Sequence, residues 1–232
     1  MSTRDTRTPR RGRPAKVDAV LRAACEVFGR DGYTRAGMET IAAEAGVSTR
    51  TLYNHFPGGK AELFRTVMAW SSTHVRDAQL ALLHRYLDPE RPPRPQDLER
   101  DLVLLARSWT NLTAEFPAHF AMVRQIHAEI GHIPDDVREA WQDTGPRTVT
   151  RETARVLSAL AALGLLDLHG DPERTARHFA LLTSGELAQL TFWAYAPLPD
   201  PEADAIITAG VRTFLRAYTP APPRPNPGTA SR

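Results

Sequence analysis

METIAAEAGVSTRTLYNHF, residues 38–56, is the stretch whose reading decides the fold. It reads as two short helices hinged at Gly46. A glycine there can take the left-handed backbone that ends a helix, since it has no Cβ to clash. Ala42, four residues earlier, is small enough to let the second helix approach closely. Ser48 stands where an N-cap is wanted, because its hydroxyl can accept a free backbone N–H of the second helix. Ile41, Ala45, Val47, Leu52 and Phe56 supply the apolar contacts between the pair. At about 100° per residue from Leu52, Phe56 falls near ~40°, Arg50 near ~160° and Asn54 near ~200°. Arg50 and Asn54 therefore stand almost opposite the buried side, flanked by Thr51 and Tyr53. Arg can grip guanine and Asn adenine through paired hydrogen bonds, and the other polar groups can hold phosphate. The alternative is an ordinary solvated helix face, and the whole constellation of hinge, cap and apolar back argues against it.

The same region, from about Arg11 to Leu63, resembles the TetR family of bacterial transcriptional regulators. A basic Arg11-Gly12-Arg13-Pro14 lead precedes a first helix ending Phe28-Gly29-Arg30-Asp31-Gly32-Tyr33. The family-specific part is Thr51-Leu52-Tyr53-x-His55-Phe56. The resemblance implies an all-α fold: an N-terminal three-helix DNA-binding domain with a helix-turn-helix, and a C-terminal helical ligand-binding and dimerisation domain. By matching positions, Ser48, Thr49, Arg50, Thr51, Tyr53, Asn54 and His55 lie at the DNA, and Lys60 reaches phosphate from the start of the fourth helix. Two places depart from the family pattern. Ala36 and Gly37 replace a hydroxyl pair that caps the next helix and touches phosphate, so that contact falls to backbone N–H groups or to Thr40. The link Pro57-Gly58-Gly59-Lys60 is one residue longer than usual, which shifts the placement of Lys60.

Charge is distributed in the sense such a head requires. Residues 1–70 hold 12 Lys/Arg against 7 Asp/Glu, and the remainder 17 against 20, within a net charge of +2. The basic end is the end with the DNA motif. Only Lys16 and Lys60 are lysines, which a GC-rich codon bias explains more economically than selection for bidentate contacts. Cys25 is the one cysteine, so no disulfide framework exists, and a packing role is expected ahead of redox sensing. No apolar run approaches the ~18 residues of a membrane span, and the arginine-rich start has no apolar segment of a secretory signal. A cytoplasmic protein with no membrane association is expected.

Residues 1–15 are expected to be a disordered basic arm, following phosphates or simply solvated, and 16–62 the DNA-binding domain. A first helix over 17–30 stops at Gly32. A helix over 60–87, about 42 Å long, leads out of the head. Helices follow over 96–115, from Pro117 to about His132, from Pro134, and from Pro146 to about Leu163. Residues 63–219 form the body, and its last two helices are read as 172–195 and 201–218, each opened by a proline. In the family, that pair packs against its copy as a homodimer interface. The tail over 220–232 has five prolines and should be disordered.

Segments around Phe116, His127 and Leu165 resemble loosely the C-terminal region of the AefR-type subfamily. That likeness implies an effector cavity of apolar and aromatic character among the middle helices, bordered by Trp109, Phe120, Arg124 and His127. Plain core packing is the competing reading for each of these. His127 and His132 are five apart, about 140° round a helix, which does not suit a shared metal. The chain has no Cys cluster, no phosphate-binding glycine loop and no nucleophile elbow, so neither cofactor nor enzymatic activity is expected. The expected function is a homodimeric, sequence-specific DNA-binding repressor on a near-palindromic operator, released by a small apolar or aromatic effector. An activator or a corepressor-dependent regulator is the alternative within regulation. A helical carrier or enzyme with a vestigial head is the alternative outside it.

Overall fold

The computed structural model describes residues 12–196 and 198–220, and these are helical with turns and no strands. The expected arm lies mostly outside the described residues, as does the tail beyond 220. Helix α1 (Gly12–Arg35) starts earlier than the sequence reading placed it, taking in the last four residues of the expected arm. It is broken at Gly32, where φ is +80 and ψ 172. α2 (Met38–Glu44), α3 (Thr49–His55) and α4 (Gly59–Tyr86) follow. After a loop come α5 (Leu98–Glu115), α6 (Pro117–Ala128), α7 (Asp135–Thr144) and α8 (Pro146–Ala162). α9 (Pro172–Ala180) runs through a π turn (Leu181–Gly185) into α10 (Glu186–Leu190), and α11 (Asp200–Tyr218) is the last helix among the described residues.

The chain forms two compact units. One takes the chain up to Arg76 together with Thr113–Pro146. Its core joins Val27 and Phe28 of α1, Ile41 of α2, Leu52 of α3, Leu63, Phe64 and Val67 of α4, and Met122 and Ile126 of α6. Aromatic edges fix it, with Phe28 and Phe64 centroids at 4.8 Å and 75°, and Tyr33 also 4.8 Å from Phe64. α6 approaches α1 closely at Gly29, where a Cβ would stand 3.0 Å from Ala121 Cβ and 3.1 Å from the Ala118 carbonyl.

The other unit takes Asp77–Leu112 and the chain from Arg147. Leu83, Leu102, Leu105, Leu157, Leu160, Phe179, Val211 and Phe214 make its core. Phe179 sits at the centre, 5.3 Å from Phe214 and 6.1 Å from Trp109 between ring centroids.

Two helices end well before the expected point. α6 stops at Ala128, and a short 3-10 turn at Ile130–His132 takes the place of its last turn. The helix read as 172–195 widens at Leu181–Gly185 and ends at Leu190. Phe192, Trp193 and Ala194 then take positive φ of 50, 59 and 63 in succession. No glycine or proline marks that break, so the local sequence gave no warning of it. Phe192 itself and the following Tyr195 are exposed, at 69% and 76%. Among the described residues no helix is long and apolar enough to cross a membrane.

Candidate nucleic-acid interface

The α2–α3 hinge has the geometry the sequence asks for. Gly46 is left-handed at φ +65, with the N–H of Gly46 donating to Ala43 at 3.1 Å and that of Val47 to Ala42 at 2.9 Å. These two bonds are a Schellman closure, which satisfies the last carbonyls of α2. Nothing lies within 4 Å of a Cβ built on Gly46, so the need for glycine there is purely conformational. Ser48 caps α3, its hydroxyl accepting the Thr51 N–H at 3.1 Å and lying 2.8 Å from the Thr51 hydroxyl.

Leu52 and Phe56 are buried, as are Ile41 and Ala42 beneath them. Arg50, Tyr53 and Asn54 are exposed, and so are Ser48 and Thr40. Thr49, Thr51, His55 and Lys60 are half-buried. The helix therefore turns a guanidinium, a carboxamide and a phenol outward from an apolar back. Tyr53 leans beside Gly59, its Cε1 3.7 Å from where a Cβ would stand, and Gly59 is itself left-handed at φ +67. α2 begins at Gly37 with no side-chain cap, and the Thr40 hydroxyl lies 3.5 Å from where a Gly37 Cβ would be.

Lys60 is engaged within the protein. Its ammonium donates to the Thr34 carbonyl at 3.0 Å and stands over the Tyr33 ring at 5.1 Å. The longer link before it is closed by the Gly59 N–H on Phe56 at 2.9 Å and by the Gly58 N–H on the Glu62 carboxylate at 2.6 Å.

The four residues read as bordering an effector fall in different units. Phe120, Arg124 and His127 are on α6 in the first. The Phe120 ring meets the buried His119 edge-on at 5.2 Å, and exposed His127 meets Trp141 at 6.0 Å. Trp109 belongs to the second unit, where its indole N–H donates to the Gln79 carbonyl at 3.0 Å.

Sequence reasoning missed the partners of three groups in the first unit, of which only Cys25 had been singled out, as a packing residue. His119 is buried, and burial depresses its pKa to about 4. Its Nδ1 meets the buried Ser71 hydroxyl. Cys25 is buried too, and its thiol is pushed up to about 12, first by burial and then by Glu26, against a hydrogen bond from Ser71. Glu129, after α6, binds Thr34. Burial opposes its charge, but the two Thr34 bonds, with Arg35 and His132 nearby, hold its pKa below the usual carboxylate range. Each of these depends on partners 46 or more positions away, beyond what periodicity or capping patterns can report.

Residues 20–67 match the family model for bacterial regulatory proteins of the tetR family, and 101–220 match that for the AefR-like transcriptional repressor C-terminal domain. No curated protein matches the chain. Among solved structures, a protein described as a TetR-family transcriptional regulator from Mesorhizobium loti MAFF303099 is similar at 25% identity and TM-score 0.75, over 89% of this chain and 98% of its own. The flavonoid-responsive regulator FrrA is similar at 30% identity and TM-score 0.66, over 90% and 100%. The fatty acid degradation regulator FadR from Bacillus halodurans shares the fold at 14% identity and TM-score 0.65, over 91% and 97%.

Proposed function

The chain belongs to the TetR family of DNA-binding transcriptional regulators, and from that premise we propose that it is a homodimeric repressor released from its operator by a small aromatic effector. The observation that carries the reading is the outward pair Arg50 and Asn54 on α3, opposite buried Leu52. Side chains of that chemistry read guanine and adenine edges in the major groove. With two copies, the α3 helices enter successive major grooves about 34 Å apart, which calls for a near-palindromic operator. Thr49, Thr51, Tyr53 and His55 border that contact, with Ser48 and Thr40 toward phosphate.

The second copy docks on α9–α10 and α11, where Leu181 of the π turn, Leu190 of α10 and Phe192 just past it are exposed. Phe120, Arg124 and His127 on α6 are the effector-contacting candidates in the first unit. An aromatic effector is supported by the 30% identity with a regulator that is flavonoid-responsive. Release requires the effector to bind more tightly to a dimer whose heads are misspaced, since equal affinity for both states shifts nothing. The site of action is the cytoplasm, where the operator lies.

Selection of bound duplexes from a random pool tests this, followed by gel shifts with a panel of aromatic compounds that includes flavonoids. A palindromic consensus, and a compound that abolishes the shift, are the expected results. Binding without sequence preference overturns the operator, and a compound that tightens the complex makes the protein a corepressor-dependent regulator instead.

A further inference from the structure

The last turn of α1, beyond its break at Gly32, is held by two residues that belong to neither α1 nor α2. Glu129, just past the end of α6, receives two hydrogen bonds on one carboxylate oxygen. The backbone N–H of Thr34 donates at 2.9 Å and the Thr34 hydroxyl at 2.8 Å. Its other oxygen lies over Gly32, where any Cβ would collide with it. Lys60, in the first turn of α4, takes the Thr34 carbonyl at 3.0 Å. The N–H, hydroxyl and carbonyl of Thr34 are thus all bound from outside the turn.

Thr34 is well placed to matter. Only Ala36 and Gly37 separate α1 from α2, and Gly37 brings no side-chain cap to stiffen the junction. The direction in which α2 leaves α1 is therefore set by what holds the turn, and α3 follows α2 rigidly through the Gly46 closure. α6, which ends immediately before Glu129, is seated on α1 at Gly29.

We propose that Glu129 is a positioning residue for DNA reading: by holding Thr34 it fixes the angle at which α2 and α3 leave α1, across 95 positions of sequence. This rests on the reading of α3 as the DNA-contacting helix. Glu129 makes no DNA contact itself. It sets where Arg50 and Asn54 stand.

The test uses full-length protein and a duplex that the wild type has selected from a random pool. Glu129→Gln and Thr34→Val each weaken binding roughly five- to tenfold, the scale of a lost charge-assisted hydrogen bond. The double variant binds no worse than the weaker single, because the hydroxyl bond lost in Thr34→Val is one of the two that Glu129→Gln already weakens. The slope of log affinity against log salt stays at the wild-type value, since no phosphate contact is lost. Thr34→Ser retains both donors and binds like wild type. Thr34→Val removes one exposed hydroxyl and needs no repacking, so it remains readable should Glu129→Gln melt early.

Wild-type affinity in Glu129→Gln, losses that multiply in the double variant, a changed salt slope, or a Thr34→Ser as weak as Thr34→Val would each overturn the inference. In all four the selected duplex still binds wild type, so the DNA-reading conclusion stands. A wild type that selects no sequence overturns that conclusion and this inference with it.

Discussion

Nδ1 of His119 on α6 stands 3.1 Å from the hydroxyl of Ser71 on α4, and both side chains are buried. With a folded pKa of about 4 against an ordinary 6.5, the histidine stays neutral in the fold while the unfolded chain takes the proton first. Full stability is present above pH 6.5 and is lost as pH falls toward 4, at about 1.4 kcal/mol per pH unit and about 3 kcal/mol in all. Urea unfolding of wild type and His119→Asn between pH 4 and 7.5 checks this. The variant should show the shallower pH dependence, and equal slopes would place the acid sensitivity elsewhere.

Arg50→Ala should weaken operator binding by about 1–3 kcal/mol and relax the base preference at one position of each half-site. Anisotropy titrations against the selected duplex and its single-base variants measure both. An unchanged preference would remove Arg50 from base reading and leave it at most a phosphate contact.

The Cys25 thiol is buried and its pKa is raised to about 12, so almost no thiolate exists at neutral pH. A disulfide reagent such as DTNB should therefore label the native protein no faster than it unfolds, and label it at once in denaturant. Rapid native labelling would show that the thiol reaches solvent and would reopen a redox role.

Gly210 of α11 lies directly against the Leu182 carbonyl of the π turn, with the Thr183 Cα only 3.3 Å from where its Cβ would be. Backbone cannot step aside as a side-chain end can. Gly210→Ala should cost about 3 kcal/mol of stability, as overpacking of a tight core does. Chemical denaturation reads the loss directly. A neutral effect would mean that α11 slides readily along its neighbour.

The local features of the head were legible because each depends on residues within one or two turns. Gly46 and Ser48 announce a hinge and a cap, and the positions of Arg50 and Asn54 relative to Leu52 follow from helical pitch alone. Lys60 was read as a phosphate contact by its place in a motif, whereas its ammonium is drawn to Thr34, whose carbonyl becomes available only once α1 and α4 pack. The Glu129–Thr34 and His119–Ser71 bonds were illegible for the same reason. The left-handed run at Phe192–Ala194 carries no glycine, so composition pointed the other way.

Phe179, Thr183, Leu187 and Thr191 are all buried, and they follow one another at intervals of four. In an ordinary helix each such step overshoots a full turn by about 40°, so the series would wind off the core side by about 120°. The wide turn at Leu181–Gly185 takes up one surplus residue and keeps the four in line. Deleting a single residue there would leave a regular coil with Leu187 and Thr191 still aimed inward. This stretch is thus a point where the chain tolerates a change of length by one, without re-aiming anything that follows.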